Sequence, residues 1–390
     1  MSDTDQPTIP FNRPAVEGAE LEYVAESIRG GHTSASGPFA ERAGAVLAEE
    51  TGAAEVLLTT SCTAALEMSA LMLDLKPTDT VIVPSYSFTT TGLAFARSGA
   101  RLLFCDIEPR TLGADPAHVA DLLDDTVRAV VVVHYAGVAC DLAGLREALA
   151  DRPDVAVIED NAHGLFGRWR GRPLGSLGRF ATQSFHDTKN IVAGEGGALL
   201  VNDPNDVDRA RVLYDKGTNR RAFFLGQVDK YSWIDTGSSF GLADPLAAYL
   251  YGQLEQRDVI QAKRRSVYER YERALAPYAD EYGFQLPVIP DDCESAYHMF
   301  YLLLADRSTR DRVLAGMRSQ GVQPTFHYVP LHSSEGGRRF AARPTECPIT
   351  EDVSGRLIRL PFFNNLSEAE SERVVEAFLS AISEAAGHVR

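Results

Sequence analysis

Cysteine is scarce in this sequence and scattered along it, with no Cys-x-x-Cys pair. Such spacing gives neither a zinc-binding pattern nor a disulfide framework, so we expect reduced thiols and no bound metal. The sequence also lacks any apolar run that approaches roughly 18 residues, and we expect no membrane-spanning helix. The cysteines are Cys62, Cys105, Cys140, Cys293 and Cys347.

Positively charged residues are also few: the sequence has 38 Lys and Arg residues but 54 Asp and Glu residues. Its net charge is therefore −16 at pH 7. This balance argues against nucleic acid or an anionic membrane as the main partner. An anionic ligand would therefore need a local group of basic side chains. No Gly-x-Gly-x-x-Gly fingerprint is present, which weakens any assignment to nicotinamide chemistry. Residues 1–7 are acidic and polar and do not resemble a signal peptide, so we expect a cytoplasmic protein.

What the sequence does contain is an alternation of short apolar runs and amphipathic stretches between about residues 40 and 245. This alternation is typical of an α/β fold with a doubly wound, mostly parallel sheet and helices on both faces. The predicted strands include 81–83, 102–104, 129–133, 155–158 and 198–201.

The length of 390 residues is enough for two domains. We predict a large α/β domain over residues 9–250 and a small α+β domain over residues 251–390. A long charged helix over residues 246–276 is expected to link the two. The small domain contains the apolar run Met299–Leu304, and a helix near 308–320 and a final helix from Ser367 are expected within it.

The most informative segment runs from Ser184 to Lys189 and is followed by Gly194-Glu-Gly-Gly197 and an apolar strand. A lysine that attacks a carbonyl must be held on a fixed backbone and sheltered from water, so that its amine is neutral often enough to react. The glycines would let the chain pass close to a flat cofactor. Taken alone, such a lysine is most often a solvated surface charge.

A second segment, Glu159-Asp160-Asn-Ala-His163, follows a predicted buried strand at residues 155–158. An acid at the carboxyl end of such a strand lies where open α/β sheets bind their ligands. An Asp in that place can pair with the protonated ring nitrogen of pyridoxal phosphate (PLP). The alternative is an ordinary cap at the start of a helix.

A third segment, Thr59-Thr-Ser61-Cys62-Thr63, lies between a short strand at 56–58 and an apolar, helix-favouring run at 64–75. Hydroxyl side chains and free backbone N–H groups at a helix start form an anion site, although a simple Ser/Thr cap is the alternative. The three segments in this order indicate one site for PLP.

With these motifs the chain resembles the DegT–DnrJ family of PLP-dependent sugar aminotransferases, which implies the fold-type I architecture of aspartate aminotransferase. The resemblance extends from Ile9–Pro14 to Leu360–Asn364, nearly the whole chain. Within the family the chain is most similar to the enterobacterial-antigen type, which aminates carbon 4 of dTDP-4-oxo-6-deoxy-D-glucose. The runs that carry this closer similarity are 61–66, 133–140, 216–220, 226–231 and 325–332.

The resemblance implies a role for each residue of the catalytic group. Lys189 matches the lysine that binds the cofactor covalently and then moves a proton between the substrate carbon and the cofactor carbon. Asp160 matches the acid on the pyridine nitrogen. His163 matches a position near the phenolic oxygen or imine of the cofactor, with simple packing at a helix start as the alternative.

The resemblance also implies the remaining contacts of the cofactor. Phe88 matches the aromatic residue that stacks on the ring, with Tyr86 as the competing aromatic and core packing as the alternative for both. Many relatives supply an Asn from the partner subunit to the phosphate, but the corresponding segment 237–241 has none. That contact is therefore in doubt or passes to Ser238 or Ser239. The expected phosphate ligands on this chain are Ser61, Cys62, Thr63 and Ser184.

For the sugar nucleotide, the resemblance selects basic, His and Tyr side chains in two regions, because Arg or Lys would bind the diphosphate. Each of them taken alone is more often a surface residue. A metal cluster of His327, His332 and Glu335 is not expected, since Pro330 intervenes and no helical His pair with a Glu between is present. The candidates are Lys216, Asn219, Arg220, Lys230, His327, Tyr328 and His332.

These features together predict an aminotransferase in which L-glutamate donates its amino group through PLP and pyridoxamine phosphate (PMP) to carbon 4 of the dTDP-4-oxo sugar. The product would be a dTDP-4-amino-4,6-dideoxyhexose, galacto or gluco, for polysaccharide or natural-product glycosylation. The resemblance implies a homodimer with the active site at the interface. The alternatives are a 3-oxo sugar aminotransferase, a PMP-dependent sugar dehydratase and a non-catalytic paralogue. A His would replace Lys189 in the dehydratase, and the paralogue would be expected to lose Lys189 or Asp160.

Overall fold

The computed structural model describes residues 7–387. Its strands are β1 (Glu55–Thr59), β2 (Thr80–Pro84), β3 (Arg101–Cys105), β4 (Val127–Val133), β5 (Ala156–Asp160), β6 (Arg168–Trp169), β7 (Arg172–Pro173), β8 (Phe180–Ser184), β9 (Gly197–Val201), β10 (Cys293–Glu294), β11 (Tyr301–Leu303) and β12 (Leu357–Arg359). Its α-helices are α1 (Glu20–Arg29), α2 (Pro38–Thr51), α3 (Cys62–Met72), α4 (Thr89–Arg97), α5 (Pro116–Leu122), α6 (Leu142–Ala148), α7 (Val207–Tyr214), α8 (Arg220–Phe224), α9 (Asp244–Glu255), α10 (Arg257–Leu275), α11 (Ala279–Tyr282), α12 (Arg307–Ser319), α13 (Glu335–Phe340), α14 (Pro348–Arg356) and α15 (Glu368–Gly387).

A seven-stranded sheet forms the centre of the fold, in the order β1-β9-β8-β5-β4-β2-β3. Strand β9 runs antiparallel to β1 and β8, and the other neighbouring strands are parallel. Alternate residues pack on opposite faces, since Val81 and Val83 lie against α3 and α4 while Ile82 and Leu103 lie against α5 and α6. The predicted α/β fold with a mostly parallel sheet is confirmed.

The strand directions bring the ends of many strands to one edge of the sheet. Because β9 is antiparallel to both of its neighbours, β1 runs in the same direction as β8, β5, β4 and β2. Thr59, Val133, Asp160 and Ser184 therefore end their strands at the same edge, and Gly197 begins β9 there. In a parallel sheet this carboxyl edge is where ligands bind.

The expected single helix over residues 246–276 is wrong, because the chain forms two helices, α9 and α10, that meet at Gln256. Gln256 has φ −99° and ψ 13°, which ends the regular pattern of α9. Helix α9 packs against α1 and α2, whereas Val267 and Tyr271 of α10 lie in a separate core.

That separate core belongs to the C-terminal part of the chain, where β11 and β12 form an antiparallel pair and α12 packs on α15. Ile9 from the start of the chain completes it. Leu331 and Cys347, however, pack into the core beneath the large sheet. The proposed division at residue 250 stays a prediction. None of the helices within residues 7–387 is both long enough and apolar enough to cross a bilayer.

Candidate active site

A cavity of about 420 Å³ lies at the carboxyl edge of the sheet. The C-terminal part of the chain forms its opposite wall, through Thr325 and Arg359 among others. Predicted residues from five separate segments converge on this cavity. They are Ser61, Cys62, Thr63, Phe88, Asp160, His163, Ser184, Lys189, His327 and Tyr328.

Lys189 lies in the loop between β8 and β9, where its backbone N–H donates to the carbonyl of His186 at 2.9 Å. The side chain lines the cavity and is partly buried. Burial lowers the pKa of Lys189 to about 8; the nearby Asp160 opposes this shift and Arg359 adds to it. A sheltered amine that is often neutral near pH 8 has the property that attack on a carbonyl requires.

Asp160 ends β5 with its carboxylate buried in the cavity wall. Its Oδ2 accepts a hydrogen bond from Thr91 Oγ1 at 2.7 Å, and Ser87 Oγ donates to Thr91 Oγ1 at 2.6 Å. Burial raises the pKa of Asp160, although the hydrogen bonds from Thr91 and Ala162 oppose the shift. The chain at residues 161–167 forms turns, so Asp160 does not cap a helix. A buried carboxylate of this kind favours a cationic partner, such as a protonated ring nitrogen.

Next to it on the strand, Glu159 points to the other face of the sheet and is fully buried. Its carboxylate accepts hydrogen bonds from His134 Nε2 at 2.8 Å and from three backbone N–H groups, those of Gly175, Leu177 and Gly178. Burial alone would raise the pKa of Glu159, but the hydrogen bond from His134 and the backbone donors lower it. This pair fixes the ends of β4 and β5, and the sequence analysis assigned it no role.

The N-terminus of α3 lines one side of the cavity through Ser61, Cys62 and Thr63. The Ser61 Oγ caps the helix by accepting from the Ala64 N–H at 3.1 Å. Burial raises the pKa of Cys62 to about 12, so its thiol is neutral. A Cβ on Gly197 would lie 2.4 Å from the Cys62 nitrogen, and this glycine is therefore needed where β9 meets the helix start. The glycines were expected to let the chain pass close to a flat cofactor. At Gly197 the close neighbour is instead the backbone of Ser61 and Cys62.

His163 is buried and stacks on His298, with ring centroids 4.2 Å apart and an angle of 16° between the planes. Burial lowers the pKa of His163 well below its usual value, and the neighbouring charges act in the same direction. Its Nδ1 has no hydrogen-bond partner among residues 7–387. His298 Nδ1 in turn binds Asn190 Oδ1 at 2.9 Å, next to Lys189. His298 was missed by the sequence analysis, since nothing in its local motif distinguishes it from a core residue.

The two competing aromatic residues occupy different places. Tyr86 is buried and donates its hydroxyl proton to the carbonyl of His327 at 2.7 Å, which makes it part of the core. Phe88 lies at the opening of the cavity with 58% of its surface exposed. Its position leaves the ring free to cover a ligand, and its stacking role stays a prediction.

Arg359 is the second residue that the sequence analysis missed. It ends β12, immediately before the Leu360–Asn364 motif, and lines the cavity while only 7% exposed. It donates to His327 Nε2 and lies over the Phe11 ring, with its guanidinium carbon 4.6 Å from the ring centroid. Burial lowers the pKa of His327, and the Arg359 charge lowers it further, so the imidazole is a neutral acceptor.

Several predicted residues do not line this cavity. The segment 216–236 projects from the surface, where Lys216 pairs with Asp215 at 2.8 Å and the Asn219 side chain binds the backbone of its own loop. Arg220 and Lys230 are exposed on the same segment. Neither residue lines the cavity, and their binding roles stay predictions.

Ser239 and His332 also lie outside the cavity. Ser239 is exposed and pairs with Asp215 through the backbone. His332 lines a separate, more open cleft of about 640 Å³ beside β3, where its ring contacts Ser85 Oγ at 2.6 Å and Glu351 at 3.3 Å. Within residues 7–387, no group of three His, Cys, Asp or Glu side chains is arranged to hold a metal ion.

The donor set of the cavity fits PLP. The helix start at Ser61–Thr63 with Ser184 can hold the phosphate, Asp160 the ring nitrogen, and Lys189 the carbonyl carbon. The unpartnered Nδ1 of His163 leaves one buried polar atom for a cofactor oxygen or imine.

The chain is similar to known aminotransferases both in sequence and in fold. The sequence pattern of the DegT/DnrJ/EryC1/StrS aminotransferase family matches residues 14–379. The chain is 27% identical over 377 residues to the spore coat polysaccharide biosynthesis protein SpsC of Bacillus subtilis (strain 168), across 95% of this chain and 96% of that protein. Its fold is similar to the aminotransferase TlmJ from Streptoalloteichus hindustanus, with 30% identity, a TM-score of 0.88 and coverage of 96% and 99%. The sugar aminotransferase CalS13 from Micromonospora echinospora is 26% identical, with a TM-score of 0.85 and coverage of 95% and 99%.

Proposed function

The chain belongs to the DegT/DnrJ/EryC1/StrS aminotransferase family, and from that premise we propose that it moves the amino group of L-glutamate to carbon 4 of dTDP-4-oxo-6-deoxy-D-glucose. It is a PLP-dependent sugar aminotransferase. The main support for an aminotransferase is that Lys189 and Asp160 line the same cavity, together with the residues at the start of α3. The finer choices of sugar, carbon atom and donor are proposals.

The residues of the cavity divide the work of an amino transfer. PLP, when bound, supplies a carbonyl for the incoming amine and a ring that withdraws electrons. Asp160 would hold the ring nitrogen in its protonated form, because a cation there would balance the buried carboxylate. Lys189, whose pKa burial lowers to about 8, would hold the cofactor and, once released, would move a proton between the donor carbon and the cofactor carbon. The N–H groups at the start of α3 would hold the phosphate.

Lys189 also argues against the dehydratase alternative, in which a His would take its place. It lines the cavity on a backbone held by the His186 carbonyl, as an amino transfer requires. A non-catalytic paralogue would have no need for the buried carboxylate of Asp160, whose charged form burial disfavours. The 3-oxo sugar remains as an alternative substrate to be tested.

The substrate diphosphate requires more positive charge than the cavity wall of one chain provides. Lys189 and Arg359 are the Lys and Arg side chains in that wall, and the net charge of the protein is −16. The segment 216–236 carries Lys216, Arg220 and Lys230 but lies outside its own cavity. A partner subunit that received this segment would gain the missing charge.

The same segment exposes an unusual amount of apolar surface, including Trp233, which is 81% exposed. Large exposed apolar patches mark interaction sites. We therefore propose a homodimer in which this segment, with Ser239, completes the active site of the other subunit. The exposed apolar residues are Phe223, Phe224, Leu225, Val228, Tyr231, Trp233 and Ile234. A cytoplasmic location belongs to the same proposal, since free thiols fit a reducing compartment.

The test is a two-substrate assay of the purified holoenzyme with L-glutamate and either the 4-oxo or the 3-oxo dTDP-sugar. We expect the 4-oxo sugar to be converted faster, and NMR of the product to assign the amine to carbon 4 and decide between galacto and gluco. Preference for the 3-oxo sugar would refute the carbon 4 assignment. Sedimentation of the protein and of Trp233→Asp tests the dimer, and an active wild-type monomer would refute it.

A further inference from the structure

Arg359 differs from the other buried arginines of the described chain. Arg264 is fully buried and satisfied, because its three nitrogens donate to the Tyr297 carbonyl, to Asn364 Oδ1 and to the His298 carbonyl. Arg310 is buried and pairs with Asp311 at 2.7 Å.

Arg359, in contrast, forms no ion pair with any carboxylate of residues 7–387, and its Nε has no hydrogen-bond partner there. The groups around it do not neutralise its charge. His327 accepts one of its hydrogen bonds, Phe11 covers one face, and the phenols of Tyr86, Tyr135 and Tyr328 are neutral because burial raises their pKa values.

Lys189 adds a second positive group to the same cavity. The carboxylate of Asp160, held by Thr91, is at the sheet edge where the cofactor ring nitrogen is expected. A buried cation without a negative partner is unfavourable, so this position favours an anionic ligand.

We propose that Arg359 binds a carboxylate group of the amino donor. This inference rests on the proposed function, because it assumes that an amino acid enters the cavity beside Lys189. The planar guanidinium presents N–H groups in a fork that matches a carboxylate. The phosphate of the cofactor already has the start of α3, which leaves Arg359 available to the donor.

The test compares Arg359→Met and Arg359→Lys with the wild type in the two half-reactions of the holoenzyme. Bleaching of the visible cofactor band by increasing L-glutamate gives the apparent Kd of the donor. Restoration of the band by 2-oxoglutarate gives the apparent Kd of this keto acid. Bleaching by the dTDP-amino sugar measures the half-reaction that involves the sugar. Arg265→Met is the matched control, since Arg265 is exposed and pairs with Glu269 on its own helix.

For Arg359→Met we expect the apparent Kd of L-glutamate and of 2-oxoglutarate to rise about 10- to 100-fold, the range set by loss of a hydrogen bond to a charged group. Arg359→Lys keeps the positive charge but loses the forked N–H geometry. Its apparent Kd values are expected to lie between those of the wild type and those of Arg359→Met. The half-reaction with the amino sugar should change by less than about threefold. Equal weakening of both half-reactions, or no weakening of either, would overturn the assignment.

Thermal unfolding separates a binding role from a structural one. Because the Arg359 charge has no carboxylate partner within residues 7–387, Arg359→Met in the absence of substrates is expected to keep or raise the Tm, with the visible cofactor band retained. A lower Tm together with a lost band would show that Arg359 supports the fold, and would also overturn the inference. If L-glutamate fails to bleach the wild type while the amino sugar does so, the proposed donor is wrong, which is a different failure.

Discussion

Asp160→Asn separates the electronic role of this carboxylate from any role in folding. The substitution keeps the shape of the side chain, and the amide oxygen can still accept the hydrogen bond from Thr91. It removes the negative charge that would face the ring nitrogen. Opposite charges about 4 Å apart attract by about 4 kcal/mol at an effective dielectric constant of about 20. If that attraction acts mainly in the transition state, turnover falls about 1000-fold.

The stability of the cofactor-free protein against unfolding should respond to Asp160→Asn differently from turnover. Burial raises the pKa of Asp160, so the folded state disfavours its charged form relative to the unfolded chain. Stability is therefore lost as the pH rises from the unfolded pKa to the folded pKa, and it stays low above that window. Asp160→Asn removes this penalty, and at pH 7 the Tm of the cofactor-free variant is expected to equal or exceed that of the wild type.

The assay is single-turnover bleaching by L-glutamate, followed by cofactor titration and thermal unfolding. Asp141→Asn is the control, because Asp141 does cap a helix by accepting from the Gly144 N–H at 2.9 Å. That variant should keep its turnover. A loss of less than about tenfold in Asp160→Asn, which corresponds to about 1.4 kcal/mol, would refute the electronic role.

Three further predictions concern Lys189 and the exposed segment 216–236. Lys189→Ala should lose the visible band of the lysine-bound cofactor, and borohydride reduction with peptide mapping should mark Lys189 in the wild type; labelling of another lysine would contradict the assignment. The rate at which the cofactor-free protein binds PLP covalently should rise about tenfold per pH unit up to about pH 8 and then level off, since burial lowers the pKa of Lys189 to about 8; a rise that continues to about pH 10 in stopped-flow absorbance would exclude this. Arg220→Met and Lys230→Met should raise the KM for the dTDP-sugar and leave bleaching by L-glutamate intact, whereas equal damage to both half-reactions would indicate a structural role.

Local patterns in the sequence were sufficient for much of the large sheet. The run Ala129–Val133 is apolar without interruption because β4 is buried on both faces, and this property can be recognised without knowing its neighbours. Asp160 could be placed at the ligand edge because it follows such a run at residues 155–158. The break at Gln256 could not be predicted, since no Gly or Pro marks it. Helix α9 and Ile260 of α10 pack in one core, whereas Val267 and Tyr271 of α10 pack in another, and no local pattern separates the two.

The missed residues depend on contacts between distant segments. Arg359 and Arg264 are both arginines beside apolar residues, and only their partners distinguish a satisfied core cation from one without a carboxylate. His134 directly follows β4, much as Asp160 ends β5. Its ring, however, is buried and binds Glu159 at 2.8 Å instead of lining the cavity. The basic residues at 216–230 were chosen by resemblance, and no local pattern could show that the loop leaves its own cavity.

The insertion of β9 between β1 and β8 has a consequence for how the protein folds. The register pairs Glu55 with Val201 and Thr59 with Gly197, residues that are far apart along the chain. Non-local strand pairings of this kind form slowly, because a long loop must close first. Until β9 is in place, the start of α3 and the loop of Lys189 belong to separate parts of the chain. PLP can therefore be captured only by a chain that has completed its sheet, and by binding that state alone it draws late folding intermediates toward the native protein.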